Sequence, residues 1–430
     1  MRRELEEILS AALEAADPGE AVRRYLKVED GKIFAGDASF EPRRVFVLAA
    51  GKAAYAMARA AEELLGDRIS GGLVVTKDGN ETTLESLEVV VSSHPEPDER
   101  GVEAARRVAE LAESIEEGDL LLALISGGAS ALLADPAPPI ELSDLKKLTG
   151  DLLRSGASID EINAVRKHVS MLKGGGLVRG AAPADTLALL LSDVVGDDLS
   201  SIASGLTAPD PTTLEGVEKI IHRYDLDLPE SVKDHLKSGS ETPKPGDAIF
   251  ERVTNVLVGG GRLTAEAAAE KARDLGYEPL LLSTYVTGQA RNAAGLYASI
   301  IKEIQESGNP IPAPCAIISG GEATVVVRGD GTGGPNQEFA LTLAVELDGV
   351  EGWAAFAIDT DGNDGPTDAA GGMVFGETAK DIRANGIDPG EAIDDNDAYE
   401  ALSAGDALIH TGPTGTNVND LRVALISTLD

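Results

Sequence analysis

The sequence predicts a soluble α/β protein of two domains, the first built on a doubly wound parallel sheet. Three observations carry that expectation. Short, almost continuous apolar runs alternate with Ala-rich helical stretches, as strands covered on both faces require. Glycine loops follow directly on several of those runs. The chain of 430 residues also exceeds one ordinary core.

The elements follow in order. Leu5, Ile8, Leu9, Ala12, Leu13 and Ala16 fall at helical spacing and predict a first amphipathic helix. Strands are expected at Val45–Ala49, Leu73–Val75, Val89–Val91, Leu120–Ile125 and Leu187–Leu191, with helices such as Ala53–Leu65 and Val102–Glu113 between them. The polar, proline-bearing stretch Leu228–Asp247 reads as the junction, giving domains 1–240 and 241–430. The first helix is left free to pack on the second domain. Beyond the junction, strands are expected at Asn255–Val258, Leu280–Leu282, Ala316–Ile318, Thr324–Val327, Ala354–Ile358 and Ala407–Ile409.

Composition narrows the function. With 73 acidic against 37 basic residues the net charge is −36, which would repel nucleic acid and anionic lipid and excludes both as partners. The acidity is dispersed, as in proteins adapted to concentrated salt. A single cysteine, Cys315, lies in an apolar run; it excludes an internal disulfide and fits a reducing compartment. The charged N-terminus is not expected to act as a signal peptide, and no apolar run approaches the ~18 residues of a membrane span. A cytoplasmic location is expected.

Several glycine loops stand where a strand turns into a helix, and free amides there suit anions. They are Gly51-Lys52, Ser126-Gly127-Gly128-Ala129-Ser130 and Gly259-Gly260-Gly261-Arg262; none is a P-loop. An ordinary tight turn with a surface lysine is the competing reading of the first. The sharpest local signal is electrostatic. No acid occurs from Ile162 to Ala184, although about one residue in six of the chain is acidic, and that gap holds Arg166, Lys167, His168, Lys173 and Arg179. Ser158 and Glu161 form a capping box, so a helix begins there. Helical phasing places Asn163, Arg166, Ser170 and Lys173 on one stripe, ending at Gly174-Gly175-Gly176. A cationic stripe beside a glycine loop is a site for an anion.

Carboxylates gather elsewhere. Asp193 follows the strand Leu187–Leu191, and Asp359 and Asp361 open the loop Asp359–Gly365. That loop fails as an EF-hand, with Asp364 at its sixth position and Ala370 at its twelfth, but carboxylates at a strand end could hold Mg²⁺ on a nucleotide. The five scattered histidines and one cysteine make no zinc pattern. His94, in Ser93-His94-Pro95 after a strand, could touch a ligand or simply be fixed by its prolines.

These segments together resemble the class II glycerate kinases, the glycerate 2-kinase family whose C-terminal half is the MOFRL domain. The resemblance runs through Ala50–Ala54, Ser93–Pro95, Leu124–Leu132, Asn163–Ser170, Leu172–Gly175, Leu191–Asp197 and Ala203–Thr207. It continues through Ser319–Glu322, Gly333–Glu338, Asp359–Gly365 and Thr411–Asp420, nearly the whole chain in order. It implies two unlike α/β domains, Rossmann-like and mixed-sheet, with the active site in the cleft between them. It also implies ATP, Mg²⁺ and phosphorylation of D-glycerate at the 2-hydroxyl, and leaves the oligomeric state open.

On that resemblance the essential lysine is Lys52; beside it the residues themselves make Arg166, Lys173 and Asp193 the expected catalytic groups, and Asp193 or the Asp359/Asp361 pair the expected metal ligands. Substrate and nucleotide are expected at Gly51, His94, Ser126, Gly127, Gly128, Ser130, Asn163, Ser170, Gly174, Gly175 and Ser204. In the second half the corresponding positions are Gly320, Gly321, Glu322, Asn336, Gln337, Glu338, Thr411, Gly412, Thr414 and Asn417. Some relatives carry a catalytic arginine where this chain has Pro335, so Arg166, Lys173 or Arg328 would have to supply that charge.

Two rival readings remain. An NAD(P)H-dependent hydroxypyruvate reductase would need a dinucleotide fingerprint. Gly259–Thr264 comes near it, but Thr264 fills the last position and no acid closes the next strand. A non-catalytic sugar-phosphate binding protein would explain the glycine loops and the basic stripe, but not the aligned aspartates.

Overall fold

The computed structural model describes residues 1–79 and 83–428. The chain divides into two compact units, Pro18–Val258 and Met1–Asp17 with Gly259–Asp430. The boundary therefore falls at 258/259 and not at 240/241.

The first unit opens with a small antiparallel sheet, β1 (Leu26–Glu29), β2 (Lys32–Ala35) and β3 (Ala38–Phe40). Its first turn is Asp30-Gly31, both at positive φ, the pairing that matches the twist of a two-residue hairpin. The sequence reading passed over this signal. The main sheet follows: β4 (Val45–Ala50), β5 (Ile69–Lys77), β6 (Glu88–Ser92), β7 (Leu120–Ser126), β8 (Asp185–Leu191) and β9 (Val253–Gly259).

Its order is β6-β5-β4-β7-β8-β9, and β4 to β8 pair in parallel. β7 is buried along its whole length, so its run Leu-Leu-Leu-Ala-Leu-Ile needs no polar alternation. β9 is the expected strand Asn255–Val258, assigned from sequence to the second domain. It hydrogen-bonds instead at the edge of the first sheet, and this moves the boundary. Asn255 anchors it, donating to the Thr207 carbonyl at 3.1 Å and accepting from Thr207 Oγ1 at 2.6 Å.

The second unit holds a mixed sheet of β10 (Glu278–Gln289), β11 (Cys315–Thr324), β12 (Trp353–Asp359), β13 (Gly371–Phe375), β14 (Leu408–Ile409) and β15 (Asp420–Ile426). The order is β10-β11-β15-β12-β13-β14, with β10 and β11 parallel and the other pairs antiparallel. Sequence reasoning missed β13 and β15. β15 lies inside the sheet and is fully buried, including Arg422, whose guanidinium pairs with Asp420 and lies 5.4 Å from the Phe339 ring centre. An arginine within an apolar run hid a buried strand. The expected strand Thr324–Val327 ends at its first residue; Val327 is 78% exposed. The first helix, Arg2–Ala16, packs Leu5, Ile8, Leu9 and Ala12 with Ala265 and Ala268 of the helix Gly261–Asp274, so it belongs to the second unit.

Candidate functional site

In the first unit chain order runs outward from β4 through β5 to β6, then returns to the other side of β4 as β7 and β8. The switch point therefore lies between β4 and β7, the place where open parallel sheets bind ligands beyond their strand ends. Gly51-Lys52 follows β4, and Gly127-Gly128 follows β7.

The two turns are laced together. The Lys52 amide donates to the Gly127 carbonyl at 2.9 Å, and the Ala53 amide to Ser126 Oγ at 3.1 Å. Gly51 sits at φ 131°, and a Cβ there would overlap Ser126, so both backbone freedom and close approach demand glycine. A Cβ on Gly127 would overlap the Asp193 carboxylate beyond β8. Around Gly128, the ring of His94 and Cγ of Lys52 both come within 3.1 Å of where a Cβ would stand. Lys52, His94 and Asp193 thus converge on one glycine turn.

Their electrostatics are coupled. Burial pushes the Asp193 carboxyl above the ordinary carboxylate range, and the Lys52 ammonium opposes this. Burial, then the charges of Lys52 and Lys77, lower the His94 imidazole, which keeps it neutral at pH 7. Next to these, Ser130 and Ser204 share a 2.7 Å hydroxyl bond, and Ser204 donates to Asn163 Oδ1 at 3.5 Å.

The basic stripe is built differently from the expectation. The capping box at Ser158 and Glu161 is present, but the helix is Ile159–His168 and ends before Ser170 and Lys173. Asp135, which the sequence reading did not single out, holds the continuation. It accepts from Ser170 Oγ, from the Leu172 amide at 2.7 Å and from the Lys173 ammonium, which also donates to the Leu133 carbonyl at 2.8 Å. A lone acid in Leu-Leu-Ala-Asp-Pro is the only signal that could have found it.

Lys173 is therefore a buried ion-pair partner and not an open cation. Arg166 forms no ion pair among the described residues; it reaches the Ser130 carbonyl at 3.5 Å, and burial lowers its pKa. Lys167 and His168 turn away, to Asp210 at 3.3 Å and Glu241 at 3.2 Å. The Gly174 and Gly175 amides are spent on the Ser204 and Gly205 carbonyls at 2.9 and 2.7 Å, so those glycines offer no free donors.

A cavity of about 590 Å³ opens beside this cluster, lined at one end by His94, Gly128, Ser130, Arg166, Ser170 and Lys173.

The second unit carries its own cluster. Asp359 ends β12 opposite Asp420, and Gly321 pairs with Asp420 from the other side, so Gly320, Gly321 and both aspartates share one end of the sheet. The loop after β12 is tied to Thr411–Asn419. Thr414 Oγ1 donates to the Thr360 carbonyl at 2.6 Å, its amide to the Asp361 carbonyl at 3.2 Å, and the Val418 amide to Thr360 Oγ1 at 2.9 Å. Gly412 lies against Gly362, Thr411 Oγ1 donates to the Gly412 carbonyl at 2.8 Å, and Asn417 accepts from the Asn419 amide at 3.0 Å.

Asn336 and Gln337 are fully buried and face inward. Their amides donate to Asp364 at 3.0 and 2.7 Å, and the Asn336 side chain donates to Asp420 at 2.7 Å. Glu338 pairs with Arg291 at 3.0 Å. These three residues brace the cluster, whereas Glu322 is exposed. Pro335 opens the helix Pro335–Glu346, and Arg328 is an exposed side chain.

Burial and the neighbouring carboxylates drive Asp359 up to about 8, against the opposing Asp361 amide; burial likewise drives Asp364 up to about 7. Among the described residues no three His, Cys, Asp or Glu side chains are arranged to hold a metal. Asp359 and Asp361 each give one oxygen to a backbone amide, at 3.0 and 2.8 Å. Carboxylate is the donor type that Mg²⁺ takes, usually as one or two groups with water and phosphate completing its shell.

Residues 4–237 match the model of a domain of unknown function, DUF4147, and residues 315–420 that of the MOFRL family. The chain is 43% identical to the D-glycerate 2-kinase of Thermotoga maritima, over 98% of this chain and 97% of that protein. It is also 43% identical to a putative hydroxypyruvate reductase of Agrobacterium vitis, over 99% and 94%. The crystal structure of the Thermotoga maritima glycerate kinase superposes with a TM-score of 0.91 at 42% identity, covering 99% of each chain. Two family models in order and full-length likeness at this identity place the chain in the class II glycerate kinase family.

Proposed function

We propose that the protein transfers the γ-phosphoryl group of ATP to D-glycerate at the 2-hydroxyl. The observation that carries this reading is the meeting of Lys52, His94 and Asp193 at the Gly127-Gly128 turn, on the switch point of a parallel sheet, with Arg166 lining the adjoining cavity.

Phosphoryl transfer is mostly alignment and charge neutralisation. Neither Lys52 nor Arg166 forms a carboxylate ion pair among the described residues. Arg166 suits the carboxylate of glycerate, since a planar guanidinium binds a carboxylate through two parallel hydrogen bonds. Lys52 stabilises the charge of the transferring group. Asp193, raised toward neutrality by burial, accepts the proton of the attacking hydroxyl. Ser130, Ser204 and Asn163 form a hydroxyl and amide ladder beside it. Lys173 acts through Asp135 to fix the segment that carries Ser170.

Asp359 and Asp361 of the second unit would hold Mg²⁺, an ion that neutralises phosphate charge when bound. The kinase reading is preferred to a reductase because no dinucleotide fingerprint closes after β9. A binding protein would leave the raised carboxylates without a task. The acidic surface we read as adaptation to a salt-rich cytoplasm; folding and activity indifferent to multimolar KCl would remove that reading. No helix among the described residues is long and apolar enough to cross a membrane.

The deciding assay mixes ATP, Mg²⁺ and D-glycerate and follows ADP, with enolase alone as the coupling enzyme. Signal without added mutase identifies the 2-phosphate. NAD(P)H oxidation on hydroxypyruvate in place of ADP formation would overturn the proposal.

A further inference from the structure

The cavity beside Lys52 is far larger than D-glycerate needs. A three-carbon acid would fill a small part of about 590 Å³, a volume within the ~300–1,000 Å³ of pockets that enclose drug-sized ligands. Most of the cavity's polar groups, His94, Ser130, Asp135, Arg166, Ser170 and Lys173, belong to one end. The rest is lined by the helix Leu142–Ser155 and the start of the helix Ile159–His168, with Leu145, Leu153, Ile159 and Ile162 turned to it.

Two features of that lobe are costly unless something occupies it. Leu153 and Ile159 are 65% and 64% exposed, so two large aliphatic side chains stand in water at the rim of one cavity. Gly150 lies in the interior of the helix, on the face marked by Leu145, Lys146, Thr149 and Leu153, which recurs every three to four residues. Glycine there weakens the helix by ~1 kcal/mol relative to alanine. It is not required by packing, since the nearest atom to an added Cβ is the flexible end of Arg154 at 3.4 Å. What glycine leaves is a bare strip of peptide between two aliphatic side chains, a surface on which a flat ring can lie.

We infer that this lobe receives the adenine base of ATP, stacked over Gly150 between Leu153 and Ile159, with Thr149 and Lys146 as its polar neighbours. The inference rests on the kinase reading above and adds the place of the nucleoside. It gives the cavity a direction, with the base at the Gly150 end and the phosphates at the Ser130 and Arg166 end.

The test uses the full chain and a fluorescent mant-ADP titration beside the kinase assay. Gly150→Leu fills the strip, and Leu153→Asn, at an exposed position, makes the rim polar without touching the core. Either variant is expected to weaken mant-ADP at least tenfold and raise KM for ATP by a similar factor, with KM for D-glycerate within twofold. Adenosine should compete with mant-ADP on the unmodified chain. Unchanged mant-ADP affinity in both variants overturns the subsite while leaving the kinase reading standing, as does a shift confined to KM for glycerate. No mant-ADP binding to the unmodified chain at any concentration overturns both.

Discussion

Asp135 and Lys173 form a buried ion pair, 6% and 4% exposed, in which the carboxylate also accepts from Ser170 Oγ and the Leu172 amide. Removing the carboxylate strands an ammonium that burial already disfavours. Asp135→Ala should therefore cost about 3–5 kcal/mol of stability, the range for breaking a buried pair from one side. The double variant Asp135→Leu, Lys173→Met should recover most of that loss. Urea unfolding of the three proteins checks it; a single-variant cost below about 1 kcal/mol would mean that the pair is not desolvated.

Lys52 needs only its backbone for the turn, because its amide and that of Ala53 make the bonds to β7. Lys52→Ala should keep the thermal midpoint close to that of the parent. Turnover should fall by about 10²–10³-fold, the range for losing one group that stabilises transition-state charge. Retained turnover in a folded variant removes Lys52 from the mechanism.

Gly127 lies directly against Asp193. Gly127→Ala should displace that carboxylate and lower kcat by about 10²-fold, the scale of an ångström of misplacement. A steady-state comparison with Asp193→Asn is the check. If both groups act at the same point, the double variant loses little more than either single one.

The raised carboxyls of the second unit make a signed prediction. Asp359 and Asp364 sit near 8 and 7, above the ~3.9 of an unfolded chain. Between those limits the folded protein binds more protons than the unfolded one, so stability falls as pH rises. In EDTA, unfolding should need more urea at about pH 5.5 than at about pH 8.5 for this contribution. Asp359→Asn should flatten the difference. An unchanged slope in that variant would falsify the assignment.

The periodicities made the first sheet legible, because a strand buried on both faces writes itself as an unbroken apolar run. β15 was not legible for the converse reason: Arg422 is neutralised by Asp420 only once the sheet has formed, so the run looks interrupted. β9 was seen as a strand but given to the wrong unit, since hydrophobic pattern specifies a strand and not its neighbour. The Gly51-Lys52 and Ser126–Ser130 loops could be read as ligand turns, yet their lacing to His94 and Asp193 needed the sheet order.

The sequence by itself determined the family, the α/β class and a cationic segment between Ile162 and Ala184, because each is local in composition or in motif. Only the tertiary structure decided which of those cations stays available. Helical phasing stops at His168, and an acid 38 residues earlier than Lys173 closes over its ammonium. Of Arg166, Lys167, His168 and Lys173, Arg166 alone is left without a carboxylate ion pair among the described residues. Charge in a sequence is a count, but whether a charge acts on a ligand depends on which carboxylate the fold brings within reach.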